Sequence, residues 1–295
     1  MVSRKITVFT PTYNRANFLP QLYDSLSQQN FKDFEWLIVD DGSTDHTEKL
    51  IKSWQQKTHI NIRFFKQENS GKHIAINKGV SLAEGILFFI VDSDDLLLKN
   101  SLKTISDYYD IYKSKEKFGG IVGRRLDKKG NFIGTLTPLN KLYDTTLNLR
   151  YSMHIWGDFA EVYLTSVLKK YSFPNIDNEK FVPEGIVWNR IAQDYKVMFV
   201  NQGIYISEYL EDGLSSKMTK IRIQSPQLAM KYYQELATYK IPLKEKIKSM
   251  NNFWRFSFHH NKTYLKKFKT IGFIASIISL PLGFLMYLKD KVEYR

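Results

Sequence analysis

Trp36-Leu37-Ile38-Val39-Asp40-Asp41-Gly42-Ser43-Thr44-Asp45 sets four bulky apolar residues directly against a run of acids and turn formers. A second stretch, Ile86-Leu87-Phe88-Phe89-Ile90-Val91-Asp92-Ser93-Asp94-Asp95, repeats the arrangement. Apolar runs this short, stopped by turn residues, read as strands buried on both faces, the habit of a parallel sheet. Open parallel sheets bind ligands beyond the carboxyl ends of their strands. Carboxylates clustered there are costly unless a cation or several donors stabilise them. The two edges therefore point to a nucleotide and a divalent metal held side by side.

Working outward, the first hundred residues alternate strand and helix patterns. Residues 6–10 read as a strand, and residues 18–28 as an amphipathic helix with Leu19, Leu22, Tyr23 and Leu26 inward. Residues 35–40 form the next strand, and Ser43 or Thr44 is expected to cap a helix running toward Trp54. A third strand over 61–67, a helix from Gly71 through Ala83 and a fourth strand over 87–92 complete a βαβ series with right-handed crossovers. Past Asp95 the spacing predicts a helix over 101–112, short strands near 120–123 and 132–134, and a loop-rich stretch over 135–153. Helices over 161–169 and 184–194 and strands over 197–200 and 204–209 follow.

The 295 residues, 43% of them apolar, suffice for one large domain with an appendage. Forty-three basic against 30 acidic residues give a net charge of +13. No nucleic-acid-binding signature accompanies that charge, so nucleic acid is not an expected partner. The excess thickens toward the C-terminus, where residues 243–269 interleave Phe253, Trp254, Arg255, Phe256, Phe258, His259, His260, Tyr264, Lys266 and Lys267. Residues 271–288 then carry no charge, although Pro281 and Gly283 interrupt them. Eighteen helical residues span about 27 Å, close to a hydrocarbon core of roughly 30 Å. An apolar segment behind a basic aromatic belt reads as the re-entrant or spanning anchor of a membrane-associating tail, with a buried core helix as its plainer competitor. The absence of cysteine excludes disulfides and thiolate metal sites. Met1-Val2-Ser3-Arg4-Lys5 leads into a strand without a signal-peptide core, so the body is expected at the cytoplasmic face of the cell membrane.

Four motifs occur in order: Pro11-Thr12-Tyr13-Asn14-Arg15, Val39 to Asp45, Asn69-Ser70-Gly71-Lys72-His73-Ile74-Ala75-Ile76-Asn77-Lys78-Gly79, and Val91-Asp92-Ser93-Asp94-Asp95. As an ordered set over residues 4–215 they resemble the family 2 glycosyltransferases. The resemblance implies the GT-A fold, a Rossmann-like, mostly parallel α/β sheet with flanking helices, here followed by a C-terminal helical segment. It implies a domain over 1–215, with a nucleotide-binding half (1–100) and an acceptor half (101–215), and a tail over 216–295. It implies a nucleotide-sugar donor, a UDP-sugar, with Mn2+ or Mg2+, and assigns Pro11, Tyr13, Arg15, Asp40, Lys72, Asp92 and Ser93 to the nucleotide. Asp40 would take the base, Asp92 the ribose hydroxyls and Asp94 the metal.

Each assignment has a plainer competitor. Asp41-Gly42 is also an ordinary turn, and Asp45 an ordinary helix cap. Lys72 opens a helix after Gly71, where free amides and the helix dipole favour phosphate, whereas His73 also reads as a structural core residue. Phe181-Val182-Pro183-Glu184-Gly185-Ile186-Val187-Trp188-Asn189-Arg190 resembles the family's acidic pair followed by an aromatic and an arginine, which places Glu184 as the catalytic base. Pro183 stands where an acid is usual, and Glu184 also suits a helix start after proline. Asp158 and Glu161 offer either acceptor contacts or a capping box. Asp212 occupies a position where the family often carries a histidine metal ligand. The expected activity is inverting transfer of a sugar to a hydroxyl of a saccharide acceptor, lipid-linked, in surface polysaccharide synthesis. A sugar nucleotidyltransferase would carry a glycine-rich triphosphate loop after the first strand, and residues 11–15 have no glycine. A non-catalytic, membrane-bound nucleotide-binding module would bind the donor without turnover.

Overall fold

Every residue of Ile6–Thr12 (β1) and Phe34–Asp40 (β2) is buried, as strands without polar alternation require. In a computed structural model that describes residues 4–207, 218–260 and 264–294, these strands form the centre of the parallel half of an eight-stranded sheet. Leu19–Ser27 (α1) connects β1 to β2, and Thr47–Gln55 (α2) connects β2 to Asn61–Lys66 (β3). Lys72–Leu82 (α3) then leads to Leu87–Ile90 (β4) on the other side of β1. Ser101–Tyr112 (α4), Phe118–Leu126 (β5), Lys141–Asp144 (β6), Phe159–Leu164 (β7), Thr165–Leu168 (α5) and Lys196–Ile206 (β8) complete the sheet and its flanks, and Gly185–Asp194 (α6) precedes β8 in the chain. The strand order is β3-β2-β1-β4-β7-β5-β8-β6. The pairs β1/β2, β1/β4, β2/β3 and β5/β8 are parallel, and β7 runs antiparallel between β4 and β5.

The connections reverse direction at β1: the chain winds outward through β2 and β3, then returns to β4. That reversal opens a crevice at the carboxyl ends of β1 and β4, where doubly wound sheets take their ligands. Beneath it, Trp36, Leu37, Phe88 and Phe89 are fully or almost fully buried. Phe9 stacks on Phe88 with centroids 5.0 Å apart, and a Cβ on Gly79 would fall 2.2 Å from Phe9 Cε2, so α3 lies close on the sheet.

Five local expectations are corrected. Residues 161–169 are not a helix but β7 followed by the single turn of α5. Phe159-Ala160-Glu161-Val162-Tyr163-Leu164 fits either period, and β4 and β5 supply ladders on both of its sides. Residues 132–134 form no strand, only a bridge between Phe132 and Leu126. The supposed loop over 135–153 contains β6 and a π-helical turn at Asn148–Ser152, ordered by pairing of β6 with β8. The two short strands after residue 196 are one bulged strand, β8. The aromatic belt is corrected too: Phe253, Trp254 and Phe256 are buried with Ala229 and Tyr233 in a core of their own. Aromatics at helical spacing found helix partners here in place of lipid.

The chain divides into two compact units, residues 1–172 with 190–208, and residues 173–189 with 209–295. The second unit contains Met218–Gln224 (α7), Pro226–Thr238 (α8), Leu243–Ser257 (α9), Tyr264–Ile271 (α10) and Phe273–Glu293 (α11). Within it the buried Glu179 carboxylate accepts the N–H groups of Gln227 (2.8 Å) and Leu228 (2.7 Å) and so caps α8 from a distant segment.

Candidate functional site

Three neighbouring strand ends assemble the site in the first unit. Thr12 stands opposite Asp40 in the β1/β2 ladder, and the Val91 N–H bonds to the Phe9 carbonyl (2.8 Å). Residues 11–15, 40–45 and 92–95 therefore leave the sheet on one edge, and side chains then lace them together. Asn14 adopts φ +52°, its N–H bonds to Ser43 Oγ (2.8 Å), and its Oδ1 accepts the Thr44 N–H (2.9 Å). A short polar side chain that tolerates the left-handed region is what this turn needs. The Arg15 N–H reaches Thr47 Oγ1 (3.3 Å), and the Ala16 N–H reaches Asp45 Oδ2 (3.1 Å).

Adjacent acids have opposite fates. Asp41 is consumed by the fold: Oδ1 accepts Gln67 Nε2 (2.8 Å) and the Ser70 N–H (2.9 Å), and Oδ2 accepts the Gly71 N–H (2.8 Å). Gly42, at φ +84°, lets the chain turn against this segment, where a Cβ would meet the Asn69 N at 3.0 Å. Asp40 is fully buried, and its Oδ1 accepts the Ser43 N–H (2.9 Å) and hydroxyl (2.5 Å). Its Oδ2 has no hydrogen-bond donor among the described residues, and Lys66 Nζ stands 3.9 Å away. A buried carboxylate oxygen left without a donor is costly unless a ligand donates to it.

At the second edge the strand has already ended. β4 stops at Ile90, and residues 92–95 form a turn closed by the Asp95 N–H on the Asp92 carbonyl (3.1 Å). The strand expected over 87–92 thus stops short of Asp92, and a turn presents Asp92 and Asp94. Asp92 Oδ1 meets Lys72 Nζ at 2.6 Å, and Asp94 Oδ2 meets Arg15 Nη2 at 3.7 Å. Burial opposes the charge on Asp92, but Lys72, Arg125 and Arg15 outweigh it and hold the carboxyl below its ordinary value. Asp95 goes the other way. Burial and the neighbouring Asp92 charge raise it to about 7, against the pull of Arg125 and the Tyr205 hydroxyl.

Tyr205 and Arg125 underpin this turn. The Tyr205 hydroxyl donates to Asp95 Oδ2 (2.8 Å) and accepts the Asp92 N–H (2.9 Å). Arg125 lies 4.2 Å from the Tyr205 ring centroid, faces Asp95 Oδ2 at 3.4 Å and donates Nε–H to the Phe159 carbonyl (2.8 Å). Neither residue was legible as part of a motif, because β5 and β8 reach β4 only through the fold.

Among the remaining candidates, Pro11 and Ser93 are buried and Tyr13 is 48% exposed. His73 is buried on α3. Two amides leading into α3, those of Ser70 and Gly71, are taken by Asp41, so the expected free amides there are already partly spent. Ser43 and Thr44 do not cap α2, since they serve Asp40 and Asn14, and Asp45 Oδ1 accepts the Thr47 N–H instead (3.0 Å). Asp158 and Glu161 cap no helix, because β7 occupies that stretch and Glu161 Oε1 pairs with Arg150 at 3.3 Å. Glu184 lies in the second unit, half-buried, its carbonyl accepting the Val187 N–H (3.0 Å) at the start of α6. Asp212 lies outside the described residues. Among the described residues no three of His, Asp and Glu gather as a metal-ligating cluster.

The profile of glycosyl transferase family 2 matches residues 7–167, more than half of the chain. A GalNAc(5)-diNAcBac-PP-undecaprenol beta-1,3-glucosyltransferase of Campylobacter jejuni is 27% identical over 208 residues, 68% of this chain and 64% of that protein. The fold is also that of Staphylococcus aureus TarS 1–349 in complex with UDP-GlcNAc, at TM-score 0.63 and 18% identity over 99% of this chain and 92% of that one. It is shared as well by the mannosyltransferase PcManGT of Pyrobaculum calidifontis in complex with GDP-Man and Mn2+, at TM-score 0.60 and 16% identity over 99% of this chain and 89% of that one. The chain spans about a third or less of the first curated relatives it matches, between 28% and 33% of their length. On the match of more than half its length, and on a sheet whose carboxylate-bearing edges agree with it, this chain belongs to glycosyl transferase family 2.

Proposed function

We propose that this chain transfers a sugar from a UDP-sugar to a hydroxyl of a saccharide acceptor, with inversion at the anomeric carbon. The observation that carries the reading is the open, buried Oδ2 of Asp40 on the same sheet edge as the cation-flanked pair Asp92 and Asp94. The imide N–H of a uracil ring is the donor that oxygen lacks. Asp92 would accept from the ribose hydroxyls, while Arg15 and Lys72 supply the positive charge a diphosphate needs. Two half-exposed carboxylates are oxygen donors of the kind Mn2+ and Mg2+ prefer, with phosphate oxygens supplying further ligands. Asp94 would hold that cation, which when bound neutralises charge on the departing diphosphate. The Mn2+ of PcManGT and the UDP-GlcNAc of TarS support this donor chemistry by analogy of fold.

Glu184 would take the proton of the acceptor hydroxyl. The hydroxyl oxygen then bonds to the anomeric carbon as the bond from that carbon to the diphosphate oxygen breaks, and UDP leaves. Inversion follows from the family resemblance. The acceptor would be a lipid-linked saccharide at the cytoplasmic face of the membrane, approached through the C-terminal tail. The undecaprenol-linked acceptor named for the Campylobacter relative and the apolar helix α11 support this.

A panel of nucleotide-sugars with Mn2+, scored for nucleotide release, tests the reading. UDP-sugars should give the signal, Asp94→Ala should abolish it, and Glu184→Gln should abolish transfer while UDP binding persists. Unchanged behaviour of Glu184→Gln would instead favour a binding module without turnover.

A further inference from the structure

Helix α11 buries the wrong residues for a helix of a water-soluble unit. Ser276, Ser279, Gly283 and Asp290 are inward, three or four residues apart except for one two-turn step, while Phe273, Ile274, Ile277, Ile278, Leu282 and Leu285 are 48% to 76% exposed. The inward seam is built to last. A Cβ on Gly283 would fall 2.5 Å from Trp254 Cβ, Phe284 packs edge-on to Phe258 at 5.2 Å, and Tyr287 to His259 at 4.8 Å. Asp290 closes it, receiving Arg255 Nε–H at 2.7 Å and a second bond from Arg255 Nη2.

A helix that crossed a bilayer would have to carry α9 with it. Helix α9 bears Lys244, Glu245, Lys246 and Lys248 in its first two turns, and these cannot enter hydrocarbon cheaply. The exposed apolar strip from Phe273 to Leu288 is itself only about 24 Å long, short of a hydrocarbon core of roughly 30 Å. Pro281, exposed mid-helix, supplies no N–H to the preceding turn, which a hydrated boundary tolerates better than acyl chains. Lys269, Lys289 and Lys291 are exposed at the two ends of the strip, and the whole chain carries +13. A strip of apolar side chains bounded by cations matches the boundary of an anionic leaflet.

We propose that α11 is an in-plane anchor. It lies along one leaflet of an anionic phospholipid membrane with the Phe273–Leu288 face immersed, held at that angle by the α9 seam, and it does not cross. This rests on the membrane association proposed above and is independent of sugar transfer. Truncation is a poor test, because removing α9 removes Phe253, Trp254 and Phe256 from the core of the second unit.

The chain has no cysteine, so single nitroxide labels can be placed on the full-length protein at Ile274→Cys, Ile278→Cys, Leu285→Cys and Leu288→Cys. Collision accessibility to oxygen and to a nickel chelate is read on vesicles of phosphatidylcholine, with and without phosphatidylglycerol. All four labels should sit at one shallow depth, and phosphatidylglycerol should raise vesicle binding at least tenfold. The double variant Ile278→Glu with Leu285→Glu should lose that binding while keeping its circular dichroism spectrum. A depth that peaks mid-helix, with the two ends in opposite compartments, would overturn the in-plane geometry alone. Labels that stay in water on every vesicle would overturn membrane association too, and spin–spin broadening without vesicles would assign the face to a second copy of the chain.

Discussion

The hydroxyl of Tyr205 holds the backbone N–H of Asp92 at 2.9 Å across 113 residues of sequence, and it donates to Asp95 Oδ2 at 2.8 Å. A phenol near the end of β8 thereby fixes the turn that presents Asp92 and Asp94. Tyr205→Phe should leave one buried amide and one buried carboxylate short of a partner. The expected cost is about 1–3 kcal/mol in a denaturant melt. If the turn holds the cation, the Mn2+ concentration for half-maximal nucleotide release should also rise several-fold, with the limiting rate recovering at saturation. A variant that melts earlier with an unchanged Mn2+ titration would reduce Tyr205 to a packing residue.

The two acids of the first edge should separate stability from binding. Asp41→Ala strands the Ser70 and Gly71 amides and should cost about 3 kcal/mol, loosening the start of α3. Asp40→Asn keeps the volume and should cost less. Turning an acceptor into a donor where Oδ2 stands open should weaken UDP binding at least tenfold by calorimetry. The reverse ranking of the two effects would contradict the division of labour between these neighbours.

Glu179 caps α8 with a buried, charge-bearing side chain from another segment. Glu179→Ala should therefore destabilise the second unit by about 2–3 kcal/mol, more than an ordinary surface cap. Glu179→Gln, with one acceptor oxygen, should recover part of it. Hydrogen exchange at the Gln227 and Leu228 amides reads the effect directly.

His259 should make the second unit acid-sensitive. Burial lowers its pKa below the ordinary 6.5, and Arg255 and Lys291 add to this, whereas Asp290 pulls the other way at 3.4 Å. Because the folded pKa lies under the unfolded one, the unfolded chain binds the extra proton. Stability is then complete above pH 6.5 and declines as the pH falls below it. The melting temperature should drop on acidification more steeply in the wild type than in His259→Phe, and parallel curves would dismiss the histidine.

How far the chain announced itself differs from place to place. The carboxylate-ended strands at 34–40 and 87–90 were plain because an apolar run meeting acids admits few other structures. Helix α4 matched its spacing end to end. Residues 159–164 misled because their pattern satisfies either period, and only β4 and β5 on either side decide for a strand. Phe253, Trp254 and Phe256 misled because an aromatic near a lysine looks alike whether helices or lipids cover it.

Local chemistry alone fixed the parallel half of the sheet and the order of its acidic ends, because those depend on side-chain period and turn residues close in sequence, and the ordered motifs there carried the family resemblance. The tertiary structure alone decided which of two adjacent aspartates is spent on a loop and which keeps an open oxygen. It also recruited Tyr205 and Arg125 beneath the second edge and turned the apolar side of α11 outward. Each of those outcomes depends on partners far along the chain, and a hydrogen bond or a buried seam has no signature until both of its halves have met.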